Sequence, residues 1–193
     1  MRPLRIEEIV PLDRYGPLRD AYRQRVIAYK RSRRVALGER ATLLFEDRET
    51  LRFQVQEMLW VERIREPDKL QAEIDVYNEL MPAAGELSAT LFLEILESAE
   101  IRPTLERLVG LDRHLQLVLG EGETETSFHA QFDRRQFEEE RISAVQYLRF
   151  PLGEDGSRRL ADSGLRARVR VDHPHYTREE EMPPAVRDRK SVV

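Results

Sequence analysis

The sequence predicts an α+β domain: N-terminal helices packed on a mostly antiparallel sheet of about five or six strands, with a short C-terminal helix. Two observations carry this. Apolar residues recur at spacings of three and four through the first 82 residues and at every second position beyond them. Helices and strands also follow one another in blocks instead of alternating, the order of an antiparallel rather than a parallel sheet.

The elements follow in order. The first sixteen residues, broken by Pro3, Pro11 and Gly16, read as an extended lead-in. Pro17 suits a helix start, and Leu18, Tyr22, Val26 and Tyr29 form one stripe of a helix reaching about Val35, stopped by Gly38. Ala41–Glu46 is a short strand. A second helix spans about Glu49 to Arg65 and ends at Pro67. Asp68 caps a third, about Lys69 to Leu80, stopped by Pro82. Ser88–Glu97 then places Ala89, Leu91, Leu93 and Ile95 on one strand face, and Pro103–Val109 is a short helix. His114–Leu119 and Thr124–Phe132 form a hairpin around the Gly-containing GEGE run. Ile142–Leu152 and Arg166–Val171 are further strands, the latter with Arg outward and Ala167, Val169 and Val171 inward. A last helix begins at Pro183–Pro184.

The 193 residues form a single domain over 1–193: mainly helical over 1–82, mainly β over 83–177, and a helix or tail over 178–193. A net charge of −4 argues against a general nucleic-acid binder. The absence of cysteine excludes disulfides, thiolate metal sites and Cys nucleophiles within this chain. No apolar run approaches a membrane span, and MRPLRIEEIVPLDRYG lacks the apolar segment of a secretory signal, so the expected location is the cytoplasm.

Charges inside apolar stripes are the best lead to function, because burying them is costly without opposite charge or a ligand. Arg25 and Arg33 fall in the stripe of the first helix. Glu57 and Glu62 fall among Leu51, Val55, Met58, Val61 and Ile64 on the second, whose solvent arc is Arg52, Gln56 and Arg63. The direct expectation is that the two arginines neutralise the two glutamates. The functional alternative leaves Glu57 or Glu62 as a general base, with Arg25, Lys30, Arg33 or Arg34 holding an anion or a partner. The second helix, apolar on nearly every side, points to burial in a larger core or a dimer. On the third helix Tyr77 and Asn78 are further candidates beside Glu73. Asp172, His173 and His175 form the densest group of potential metal ligands, but a pair of histidines with one carboxylate is a weak signal, and a rigid corner leading from the last strand into the last helix is the preferred reading. Signatures of nucleophile elbows, phosphate loops, dinucleotide folds and di-iron bundles are missing, and no cofactor is expected.

One set of runs is more specific. Lys30-x-x-Arg33-Arg34-Val35-x-Leu37-Gly38 is followed by Phe45-Glu46, Thr50, Gln54, Gln56-Glu57-Met58-Leu59 and Glu62-Arg63-Ile64. Then come Tyr77-Asn78-x-Leu80-x-Pro82, Ala89-Thr90, Ala144-Val145-Gln146-Tyr147-x-x-Phe150 and Asp172-His173-Pro174-x-Tyr176. Over the whole chain this resembles a bacterial family known only as domain-of-unknown-function family 3501. The resemblance implies no activity and no catalytic residues. It does imply a setting, because such proteins are often encoded near rubrerythrin-like proteins and iron–sulfur oxidoreductases. Three functions therefore stand as expectations: an accessory protein docking on a redox metalloprotein, an enzyme with a buried Glu as base and Arg as anion holder, and a metal binder at the Asp-His-Pro-His segment.

Overall fold

The computed structural model describes residues 1–133 and 142–187. Two antiparallel sheets face each other across one apolar core, and a layer of helices covers the outer face of the first sheet. The first sheet takes β1 (Arg34–Ala36), β2 (Ala41–Glu46), β3 (Glu86–Leu93), β7 (Val145–Pro151) and β6 (Gln131–Phe132) in that spatial order. The second takes β5 (Thr126–His129), β4 (Leu115–Leu119), β8 (Ala167–His173) and β9 (Tyr176–Glu181). The α+β class is therefore as expected, but the strands divide between two sheets instead of forming one of five or six.

Strand alternation builds the core. Leu43, Phe45, Leu87, Ala89, Leu91, Leu148 and Phe150 of the first sheet meet Leu115, Leu117, Leu119, Val169 and Val171 of the second. The ends are closed by α4 (Ser98–Arg107), which brings Leu105, and α5 (Gly153–Ala161), which brings Leu160. Val186 of α6 (Pro184–Arg187), the C-terminal helix expected from Pro183–Pro184, completes it.

The opposite face of the first sheet receives α1 (Leu12–Arg31), α2 (Arg48–Val61) and α3 (Pro67–Asn78). Leu51, Val55, Leu59, Ile74 and Tyr77 make a second, smaller core with Leu4 and Ile9 of the lead-in. Two side-chain amides sew that lead-in onto the helices. Asn78 accepts from the Leu4 N–H at 2.7 Å and donates to the Leu4 carbonyl at 3.1 Å; Gln56 does the same at Val10, at 2.8 and 2.9 Å. Each satisfies a backbone donor and acceptor that no strand pairs.

Several boundaries differ from the sequence reading. The first helix begins before Pro17 and ends at Arg31, because the chain re-enters as β1 rather than continuing to Val35. Gly16 is needed where α1 crosses α2: a Cβ there would lie 2.9 Å from the Trp60 ring. Gln56, placed on the solvent arc, is buried by its clamp on Val10. The helix α5, rich in Gly and charge, was not expected; Gly156 fits it against Phe128, where a Cβ would sit 2.7 Å from the ring. The His-Pro-His corner turns the chain into β9, not into a helix. Among the described residues no helix is long and apolar enough to cross a membrane.

Candidate functional site

The expected neutralisation of Glu57 and Glu62 by Arg25 and Arg33 does not occur. Glu57 is met by Arg19, whose Nε and Nη2 approach its two oxygens at 2.9 and 2.8 Å, by Tyr15 at 2.6 Å and by Arg23 at 3.3 Å. Burial opposes ionisation of Glu57, but the Arg19 and Tyr15 hydrogen bonds and the Arg19 and Arg23 charges overcome it and hold its pKa low. With both oxygens engaged, it is a structural tie between α1 and α2. Glu62 is an exposed residue at the end of α2, outside the apolar arc assigned to it.

The arginines go elsewhere. Arg33 lies beyond the helix and pairs with Asp47 at 2.6 Å, both side chains nearly out of solvent at 7% and 8% exposure. Asp47 is the N-cap of α2, accepting from the Glu49 and Thr50 amides at 3.0 Å each and from the Tyr29 hydroxyl. Arg25 is an exposed residue 3.8 Å from Glu49. Arg34 is exposed, and Lys30 lies over the Phe53 ring at 5.3 Å. The basic run Lys30–Arg34 is thus not one solvated patch.

Asp172, His173 and His175 gather at the β8–β9 turn with His114, whose Nδ1 is 3.0 Å from Asp172. The Nδ1 lone pair of His173 accepts the His175 N–H at 3.2 Å, so Nε2 carries the proton and donates to the Val109 carbonyl at 3.1 Å. Both ring nitrogens are therefore occupied within the protein. Among the described residues no group of three or more His, Asp and Glu side chains is placed to hold a metal ion.

The buried carboxyl that the helical stripes suggested does exist, on a strand. Glu46 ends β2 on the helix-covered face and is 2% exposed. Its Oε1 accepts from Thr90 of β3 at 2.6 Å and from Gln54 of α2 at 3.0 Å; Oε2 is buried without a hydrogen-bond partner among the described residues. Around it stand Lys30, Tyr77 and Tyr147. Burial pushes the Lys30 pKa down, partly offset by the Glu46 charge. Burial also pushes both phenols up, and the nearby Glu46 and Glu73 charges add to this; the Tyr77 and Tyr147 hydroxyls are paired with each other. Glu73 of α3 is itself raised, first by burial and then by the like charge of Glu62.

Strand register explains the assembly. Thr90 pairs Leu44 and Tyr147, and Ser88 pairs Glu46 and Arg149, so two adjacent rows of side chains cross three strands beneath the helices. Ser88, Tyr147 and Arg149 floor a half-open cavity of about 400 Å³, walled by Glu79 and Leu80 on one side and by Gln131 and Asp133 on the other. Glu46, Gln54, Thr90 and Tyr147 were not singled out as site residues, yet all four, with Lys30 and Tyr77, lie in the runs on which the family resemblance rests.

The family described as "Protein of unknown function (DUF3501)" matches residues 3–190. A crystal structure of a novel protein of unknown function from Burkholderia pseudomallei is similar over nearly the full length. It shows 34% identity and a TM-score of 0.88, with 98% of each chain covered. No curated protein matches the chain.

Proposed function

We infer that this chain, which belongs to the DUF3501 family of proteins of unknown function, is an accessory protein that binds a small, donor-bearing ligand beneath its helical layer. The observation that carries this reading is Glu46: a buried carboxyl with one oxygen unshared among the described residues, lying behind its strand partner Ser88, which lines a cavity that Glu46 itself does not wall. An unmet buried acceptor costs about 1–3 kcal/mol, a cost that a ligand N–H or O–H would remove. The lining sets two carboxylates, Glu79 and Asp133, against one guanidinium, Arg149, a balance that favours a cationic or amide-bearing ligand over an anion. The partner is a redox metalloprotein, the class that the family resemblance implies, and the chain carries no electrons of its own.

Thermal denaturation in the presence of small amines, amides and diols tests the ligand reading. Amines or amides should raise the melting temperature of the wild type and not of Glu46→Gln. No shift with any of them, or a shift retained in Glu46→Gln, would defeat it. Affinity capture from the native host should recover a redox metalloprotein; its consistent absence would remove that half of the reading.

A further inference from the structure

A second cavity, about 470 Å³ and on the other flank of the helical layer, lies between α1, α2 and the lead-in. That size is within the range of about 300–1,000 Å³ typical of small-molecule sites. Its walls are Val10, Leu18, Ala21 and the rings of Tyr15 and Tyr22. Leu18 is 57% exposed, an apolar residue at the rim with nothing covering it.

The polar groups of this cavity divide into those already satisfied and those with capacity to spare. The Gln56 amide is consumed by the Val10 backbone. Glu8 is held by Arg48 and Arg2, which keep its pKa down at about 2. The guanidiniums differ. Arg52 spends Nη2 on both Glu49 oxygens, at 2.9 and 2.7 Å, and its Nε is buried without a hydrogen-bond partner among the described residues. Arg25 stands 4.8 Å over the Tyr22 ring and 3.8 Å from Glu49, beyond hydrogen-bond reach. One carboxylate therefore serves two cations and the Tyr22 hydroxyl, leaving local positive charge beside an apolar cleft.

We propose that this cleft between α1 and α2 binds a small carboxylic acid with an apolar body, its carboxylate between Arg25 and Arg52 and its chain against Leu18, Ala21 and Tyr15. A guanidinium donates to a carboxylate in a fork. A sugar phosphate fits poorly, because Val10, Leu18 and Ala21 leave much of the wall apolar and the Glu8 carboxylate repels a dianion. The site is separate from Glu46, so its fate does not decide the function proposed above.

Isothermal titration with octanoate, octylammonium and octyl glucoside tests the proposal. Octanoate should bind the wild type at least tenfold more tightly than either of the others. Arg25→Gln, a change at an exposed side chain, should weaken octanoate at least fivefold. Ala21→Phe, which fills the cleft, should abolish binding. Should Ala21→Phe fail to fold, Leu18→Glu places an acid at the exposed rim and should abolish octanoate binding instead. No octanoate binding by the wild type, equal binding of octylammonium, or undiminished octanoate affinity in Arg25→Gln or the cleft variant would overturn it.

Discussion

Asp47 joins two jobs that substitution can separate. It caps α2 through the Glu49 and Thr50 amides, and it neutralises Arg33 in a place almost without water. Asp47→Asn keeps a good cap but removes the charge. Breaking a buried ion pair by removing one partner costs about 3–5 kcal/mol, because the remaining charge loses its counter-ion in a place of low dielectric. In a chain of this length each kcal/mol moves the midpoint by about 2–4 °C, so Asp47→Asn should melt roughly 6–20 °C lower. Asp47→Ala should lose about 1 kcal/mol more through the cap. Arg33→Met removes the cation while keeping an apolar stem, and the capping amides and the Tyr29 hydroxyl still serve Asp47. The double variant Arg33→Met/Asp47→Asn should therefore be more stable than Asp47→Asn alone. Urea unfolding of the four proteins, analysed as a double-mutant cycle, gives the coupling. A cost below about 1 kcal/mol for Asp47→Asn, or strict additivity in the cycle, would refute the argument that Arg33 depends on this carboxylate.

Three further outcomes are expected. The lowered pKa of Glu57 means that the unfolded chain binds its proton first as pH falls, so its contribution is complete above the ordinary value of 4.5 and disappears as pH drops through the depressed native value. Melting curves of Glu57→Gln should accordingly be less stable near neutrality and show a flatter acid limb than wild type. Asn78→Ala leaves the Leu4 N–H and carbonyl without partners and should cost about 1–3 kcal/mol, with hydrogen exchange accelerated at Leu4 while the β4 amides stay protected. Zinc or ferrous iron should leave the melting temperature unchanged, because His173 has committed both nitrogens; a clear rise lost in His175→Ala would reverse that conclusion.

Sequence patterns located what periodicity governs. The strands lining the inter-sheet core and the hairpin of β4 and β5 follow from alternation, while Gly38 proves to turn β1 into β2 and Pro67 to open α3. The elements that escaped are those held by something else. The strand β9 has no alternation to read: Thr177-Arg178-Glu179-Glu180-Glu181 is exposed and is tied to β8 by ion pairs such as Arg168 to Glu179 at 2.9 Å. The helix α5 violates helix propensity at Gly156 because Phe128 needs the space. At the site, a helical wheel is the wrong frame for locating the buried charges. Arg33 sits past the end of α1, and Glu46 is on a strand whose second face is buried only because α2 and α3 cover it. Alternation places Thr42, Leu44 and Glu46 on one face; only tertiary structure reveals that helices lie over it.

The ion-pair ladder on the second sheet also bears on how the molecule keeps its own company. β9 lies at the border of that sheet, its outward N–H and C=O groups open to pairing with a strand from another copy. Three consecutive glutamates there, answered from within by Arg166, Arg168 and Arg170, make any like strand that approaches meet its own charge. Acid or strong salt weakens that repulsion while the backbone groups stay competent to pair. Self-association under those conditions should begin along this border, which makes the charged strand a guardian of solubility as much as a part of the fold.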